Sequence, residues 1–418
     1  MHFFEHRDGE LYAENLRVTD LVEEFGSPLY IYSAKTFRRH FEAFDSAFSG
    51  LDHLTCYSVK ANSNLCILKL LADMGAGMDI VSGGELHRAL AAGVDPSKIV
   101  YSGVGKRAYE IEQALAADIL MFNVESLAEL EKIDEIAGLV GKTARISLRI
   151  NPDVDPKTHP YIATGLKKAK FGLDIESSLE GYKKAKELKH IDPVGIDCHI
   201  GSQLTSIDPF LEALDKIMAF RDKLTAMGLD IRYLDLGGGL GITYDEEEPP
   251  HPSAFGEALT QVLADQSLKV ILEPGRVIAG NAGIMVTEVL YTKGGETKEF
   301  VIVDGAMNDL VRPSLYDSFH RIGEVTPKGR PERVVDVVGP ICESGDFLAR
   351  GRTLPGVGSG ELLAVYSAGA YGFTMSSNYN SRPRAAEVIV DGDQAHLARR
   401  RETYEDLIAC EKGCLDSM

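Results

Sequence analysis

The sequence has no basic excess. It sets 44 lysines and arginines against 63 acidic residues, a formal net charge of −19. Proteins that grip a phosphate backbone carry basic patches, so a nucleic-acid partner is not expected. The balance says little about a small substrate, because the charge of a site is local. Long apolar runs are also missing. Nothing approaches the about 18 consecutive apolar residues of a membrane span, and no membrane attachment is expected. The stretch MHFFEHRDGELYAENL is charged and holds no apolar core of signal length. Cys56, Cys66, Cys198, Cys342, Cys410 and Cys414 make neither a zinc spacing nor a disulfide framework, so no metal is expected. Cys410 and Cys414 stand one helical turn apart, far short of a four-ligand site. A reducing, cytoplasmic setting fits this usage. Low-complexity tracts and short-period repeats are absent.

What is present is an alternation. The 418 residues suit two domains, and a hydrophobic fraction of 44% is enough for a full core. Eight short apolar runs follow one another: HLTCYSVK, GMDIVS, KIVYSG, ILMFNVES, ARISLRINP, PVGIDCHIGS, RYLDLGGG and KVILEPGR. Between them lie segments with apolar residues at helical spacing, several ending at glycine. Strand–helix alternation implies a parallel sheet with right-handed crossovers. Eight such units over roughly 230 residues match a (β/α)8 barrel, with a doubly wound open sheet as the competing architecture. From about residue 284 the pattern becomes strands joined by glycine-rich turns, an all-β module. The expected division is a barrel over 34–283 and a β-sandwich or β-barrel domain over 284–418. Strand-like pieces within the segment 1–33 (GELYAEN, SPLYIYS) are expected to pack with the latter.

Parallel barrels carry their chemistry at the carboxyl ends of the strands. Those tips hold Lys60, Asp79, Ser102, Glu125, Asn151, His199 to Ser202, Gly237 to Gly239, and Glu273 to Arg276. Lys60 sits among small and apolar residues. It is either a solvated lysine or an amine whose neutral form attacks an aldehyde. The triplet at 237–239 is either a tight turn or a nest of amides for a phosphate. Glu273 is either half of an ion pair or a carboxylate facing a pyridine nitrogen, which turns that ring into an electron sink. In a ring, the first and eighth tips are neighbours, so Lys60 and Glu273 share one mouth. In the β module, Arg312 and Tyr316 lie four residues apart in RPSLY, Cys342 precedes Glu343 in CESGD, and Tyr371 stands between small residues in AGAYG. A guanidinium fork suits a carboxylate, and the thiol beside a carboxylate is either surface chemistry of no consequence or a proton donor beside an ammonium clamp.

Taken in order, these stretches resemble the alanine-racemase-type (fold-type III) pyridoxal phosphate enzymes, and within them the diaminopimelate decarboxylases. The resemblance runs from GSPLYIYS to RRRETYEDLI. It is carried by YSVKAN, DIVSGGEL, SGVGK, NPDVDPKTHPYIATGLKKAKFG, HIGSQ, LDLGGGLGI, EPGR, RPSLY, CESGD and AYG. It implies a lyase that converts meso-2,6-diaminopimelate to L-lysine and CO2, the last step of lysine biosynthesis, with pyridoxal 5'-phosphate as cofactor. It implies that Lys60 holds the cofactor covalently, that His199 stacks on its ring and that Glu273 pairs with its nitrogen. Gly238, Gly239, Gly275, Arg276 and Ser202 hold its phosphate, and Asp79 supports the site. Arg276, Arg312, Tyr316 and Tyr371 surround substrate and phosphate. Cys342 protonates the α-carbon once CO2 has left, and Glu343 binds the distal amine. Cys342 and Glu343 complete the site of a partner, which makes a homodimer. Ser58 stands where alanine is frequent in the family. Decarboxylases of ornithine, arginine, carboxynorspermidine or a carrier-bound amino acid share the barrel and cofactor. Glu343, HIGSQ and RPSLY favour diaminopimelate over these. A non-enzymatic regulatory relative would be expected to lack the lysine or the cysteine, and both are present.

Overall fold

A computed structural model describes residues 2–155, 170–295 and 298–415. Most of the NPDVDPKTHPYIATGLKKAKFG stretch, at 156–169, lies outside the described residues. The chain divides into two compact units. One comprises Arg38–Thr243 and Glu247–Ile278, and the other Met1–Phe37, Tyr244–Glu246 and Ala279–Met418.

In the first of these, eight parallel strands close into a barrel: His53–Ser58, Gly77–Ile80, Ile99–Tyr101, Met121–Val124, Ala144–Arg149, Ile191–Asp197, Tyr233–Asp235 and Lys269–Leu272. Val270 pairs with His53, which joins the eighth strand to the first and excludes the open sheet. The strands are buried on both faces, hence their near-continuous apolar character. Polar caps start the helices that return from the strand tips. Asn64, Ser82, Ser126 and Asp174 each accept a hydrogen bond from an amide of the first turn.

Side chains alternate along a strand, so residues two apart point the same way. Cys56, Val100, Met121 and Ile271 belong to one apolar cluster inside the barrel. Two residues further along the same strands stand Ser58, Ser102, Asn123 and Glu273, all buried. Asp79, Asp197 and Asp235 are buried polar residues at the same strand ends. The interior therefore changes from apolar to polar within one step of the pleat, toward the carboxyl ends of the strands.

The other unit is a mostly antiparallel sheet with a separate three-stranded sheet, Phe4–Arg7, Glu10–Ala13 and Leu16–Arg17. Its central strand, Leu29–Ser33, is buried at every position. It lies between Gly283–Gly294, antiparallel, and Ala386–Asp391, parallel. Residues preceding the barrel thus share a sheet with residues following it, around a core that includes Leu11, Leu29, Ile31, Ile284, Val286 and Val388. Among the described residues no helix is long and apolar enough to cross a membrane.

Candidate active site

The first barrel strand ends at Ser58 and runs into a single tight turn, Val59–Ala61, which carries Lys60. The Lys60 Nζ donates to Asp79 Oδ2 over 2.7 Å. Its side chain is 36% exposed while that of Asp79 is fully buried, so the amine stands at the opening and its partner beneath. The Ser58 hydroxyl lies 2.8 Å from the same Asp79 oxygen and 2.9 Å from the backbone carbonyl oxygen of Glu273. The tips of strands one, two and eight are tied together at this point.

Glu273 projects into the barrel among other acids. Ser102 Oγ and Asn123 Nδ2 approach its Oε1 at 3.3 and 3.4 Å, and Asn123 Nδ2 also donates to Asp235 Oδ2 at 2.9 Å. Ser147 donates to Asn123 Oδ1 at 2.6 Å, which fixes the amide with its nitrogen toward the carboxyls. Burial, then the neighbouring Asp235 and Asp79, push the Glu273 carboxyl well above the ordinary carboxylate range. Burial likewise raises Asp197, beside Asp235. Burial raises Asp235 to about 6, although the Asn123 amide and the Gly237 N–H hold it down. Lys60 acts to lower Glu273 and Arg149 to lower Asp197, and burial with the neighbouring acids outweighs both.

His199 follows the sixth strand. Its Nδ1 accepts from the Gly238 amide at 3.0 Å, so the neutral ring carries its proton on Nε2. Burial, with Arg149 and Lys60 nearby, holds the imidazolium form far below its usual range. The glycine turn leaves no room for side chains. A Cβ at Gly238 would stand 2.1 Å from the Glu273 carbonyl oxygen, and one at Gly239 2.5 Å from the Gly201 carbonyl oxygen. Gln203 pins the far end of this loop, donating to the Ile242 carbonyl and accepting from its amide. Beside it, Arg276 Nη2 donates to Ser202 Oγ at 3.1 Å.

Several participants carried weak sequence signals. Arg149 is buried, and its Nη1 donates to Glu125 Oε1 at 2.8 Å while Gly172 N donates to the other Glu125 oxygen at 2.7 Å. Asn123, Ser147, Asp197 and Asp235 are inward positions of apolar runs. Strict alternation within each run of the expected barrel marks them as polar and inward. Glu85, one turn into the helix after the second strand, accepts from Val81 N at 2.7 Å and is raised to about 7, chiefly by burial.

The second unit holds the remaining candidates. Arg312 is buried, its Nε donates to His320 Nε2 at 3.3 Å, and its guanidinium lies 5.0 Å from the Tyr244 ring centroid and 5.7 Å from that of Tyr316. The Cys342 amide donates to Asn380 Oδ1 at 2.9 Å, and the Glu343 carboxylate beside the Tyr379 phenol raises that phenol from its ordinary value. Tyr371 holds φ +56, a left-handed backbone that a bulky residue rarely adopts. Lys60, Asp79, His199, Gly238, Gly239, Glu273, Gly275, Ser202 and Arg276 thus fall in the barrel unit, and Arg312, Tyr316, Cys342, Glu343 and Tyr371 in the other.

Residues 34–280 match the family model described as pyridoxal-dependent decarboxylase, pyridoxal binding domain. The chain is 52% identical over 407 residues to the diaminopimelate decarboxylase of Aquifex aeolicus, covering 97% of this chain and 96% of that one. It is 52% identical over 413 residues to that of Haemophilus influenzae, with 98% and 99% covered. The crystal structure of diaminopimelate decarboxylase from Helicobacter pylori complexed with L-lysine superposes with a TM-score of 0.92 at 44% identity, covering 95% of this chain and 99% of that one.

Proposed function

We propose, since this chain belongs to the pyridoxal-dependent decarboxylases and within them to the diaminopimelate decarboxylases, that its barrel mouth removes CO2 from meso-2,6-diaminopimelate and yields L-lysine. The observation that carries this reading is the pairing of strands one and eight, which sets the Lys60 turn beside the Glu273 backbone and within reach of the Glu273 charge.

Pyridoxal phosphate fits the residues there. Burial and the neighbouring acids outweigh the pull of Lys60 on the Glu273 carboxyl, and a protonated pyridine nitrogen would bring added positive charge and a donor there. Among the described residues the amides of Gly239 and Gly275 have no backbone or side-chain acceptor, and they flank the Arg276–Ser202 pair, a set suited to a phosphate. The Gly238 amide is already engaged by His199, so Gly238 serves the site by fixing that ring rather than by gripping phosphate. Lys60, half-exposed at the opening, holds the aldehyde. When bound, the cofactor supplies a sink for the electron pair released as the α-carboxylate departs.

The chain's own residues do the rest. Glu273 would hold a proton at the pyridine nitrogen, and neutral His199 would cover the ring. Asp79 aims the Lys60 nitrogen and stabilises its charged form. Arg276, Arg312, Tyr316 and Tyr371 bind and orient carboxylates, and Glu343 binds the distal ammonium. Cys342 Sγ delivers a proton to the α-carbon. Cys342 and Glu343 act in the site of a second copy, so the working form is a homodimer in the cytoplasm, a setting that matches the free state of the described cysteines.

The test is CO2 release from meso-diaminopimelate, ornithine, arginine and carboxynorspermidine, read alongside the absorbance of lysine-bound cofactor. Release from meso-diaminopimelate alone, and its loss in Lys60→Ala with loss of the absorbance, is expected. Release from ornithine without release from meso-diaminopimelate overturns the substrate, and full activity of Lys60→Ala overturns the cofactor's anchor.

A further inference from the structure

Ser58 is held on two sides before its side chain is considered. It lies opposite Asp79 in the parallel register, and its amide donates to the Pro274 carbonyl at 3.1 Å. The buried hydroxyl is thereby delivered to 2.8 Å from Asp79 Oδ2 and 2.9 Å from the Glu273 carbonyl oxygen. Asp79 Oδ2 is the same atom that receives Lys60 Nζ at 2.7 Å. One carboxylate oxygen therefore serves both an ammonium and a hydroxyl. The Glu273 carbonyl, also within reach of the hydroxyl, keeps it aligned along the strand tips.

We propose that Ser58 is a positioning residue that sets the proton affinity of Lys60, resting on the reading of Lys60 as the cofactor's anchor. A hydroxyl donating to a carboxylate stabilises its anionic form and takes up part of its charge. Asp79 then holds the Lys60 ammonium less tightly than an unshared carboxylate would. The amine reaches its neutral, nucleophilic form at a lower pH, losing its proton to water. Other charged groups that act on Lys60 include Glu85 and Glu273, while His199 beside it is neutral. None of them touches the Ser58 hydroxyl through its side chain. A change at Ser58 is therefore transmitted through Asp79.

The experiment uses the full-length chain freed of cofactor. Lys60 is labelled with an amine-selective acylating reagent across a pH series, and its modification is read by peptide mass spectrometry. Ser58→Ala is compared with the isosteric pair Ser58→Thr and Ser58→Val, which have one shape and differ in the hydroxyl. The Ala and Val forms are expected to shift the labelling midpoint upward by about half to one pH unit, three- to tenfold less neutral amine at a fixed pH below it. Their uptake of pyridoxal phosphate slows by the same factor, and Thr stays with the parent. Midpoints unmoved in Ala and Val, or alike in Thr and Val, overturn the proposal whatever happens to the melting temperature. If Ala does not fold, the isosteric pair decides. Borohydride reduction of the parent with pyridoxal phosphate, followed by peptide mapping, tests the anchor separately. An adduct on another lysine overturns the cofactor assignment while the midpoint comparison still reads Ser58.

Discussion

The Gly238 amide donates to His199 Nδ1 across 3.0 Å, and this bond decides what His199 can do. A ring nitrogen that accepts cannot carry a proton, so the ring is neutral with Nε2–H. Burial and the cations Arg149 and Lys60 oppose a second proton. A neutral flat ring is suited to stacking and unsuited to acid catalysis. Nitrogen-15 NMR of the cofactor-free protein should find His199 as the Nε2–H tautomer from about pH 8 down past the ordinary histidine range near 6.5. A His199 that titrates at the ordinary value contradicts this.

Gly238→Ala should be among the most damaging single-methyl changes in the barrel. The added Cβ would stand 2.1 Å from the Glu273 carbonyl oxygen and must push the seventh and eighth strand tips apart. Backbone cannot yield as a flexible side chain does, so a loss on the order of 3 kcal/mol or more is expected. Thermal melting measures it. Release of the His199 contact should weaken cofactor retention in the same variant, seen as loss of absorbance on dialysis.

How far the sequence carried is visible in this loop. Apolar runs and their polar tips are enough for the barrel and bring Lys60, Glu273 and His199 forward as candidates, because period and position are local properties. The triplet by itself leaves a tight turn and a nest of amides for a phosphate both open. Folded, the Gly237 amide serves Asp235 and the Gly238 amide serves His199. Which amides remain depends on strands far apart in sequence. Arg149 and Asp235 are hidden in the sequence for a similar reason. An arginine in ARISLRINP reads as an exposed residue until closure of the ring turns it inward. For Cys342 and Glu343 the dipeptide leaves surface chemistry and a proton donor beside a clamp both open, since a cysteine before a glutamate has no periodicity to interpret, and only the resemblance chooses between them.

Arg149 and Glu125 form a buried ion pair at 2.8 Å, with both side chains nearly sealed from water. Removing one partner strands the other charge. Arg149→Met should cost about 3–5 kcal/mol, and adding Glu125→Gln should recover part of it, since the amide oxygen can still accept from Gly172 N. Denaturant melts of the single and double variants measure the coupling. Equal losses in both would show that packing, and not charge, is what Arg149 supplies.

Glu85 gives the sequence a pH dependence of known sign. Burial raises its carboxyl from 4.5 to about 7. Between those values the native state keeps a proton that the unfolded chain has lost. The stability this contributes is full below the unfolded value and is lost as pH rises through the folded one. Glu85→Gln keeps an oxygen for the Val81 amide but cannot ionise. Relative to the parent, the variant should gain on the order of 1–2 kcal/mol between about pH 5 and pH 8, a discounted figure for a half-buried group. Paired melting curves across that window decide it. Curves that stay parallel would mean that Glu85 ionises freely in the fold, and that the charge of Lys60, close enough to act on it, compensates its burial.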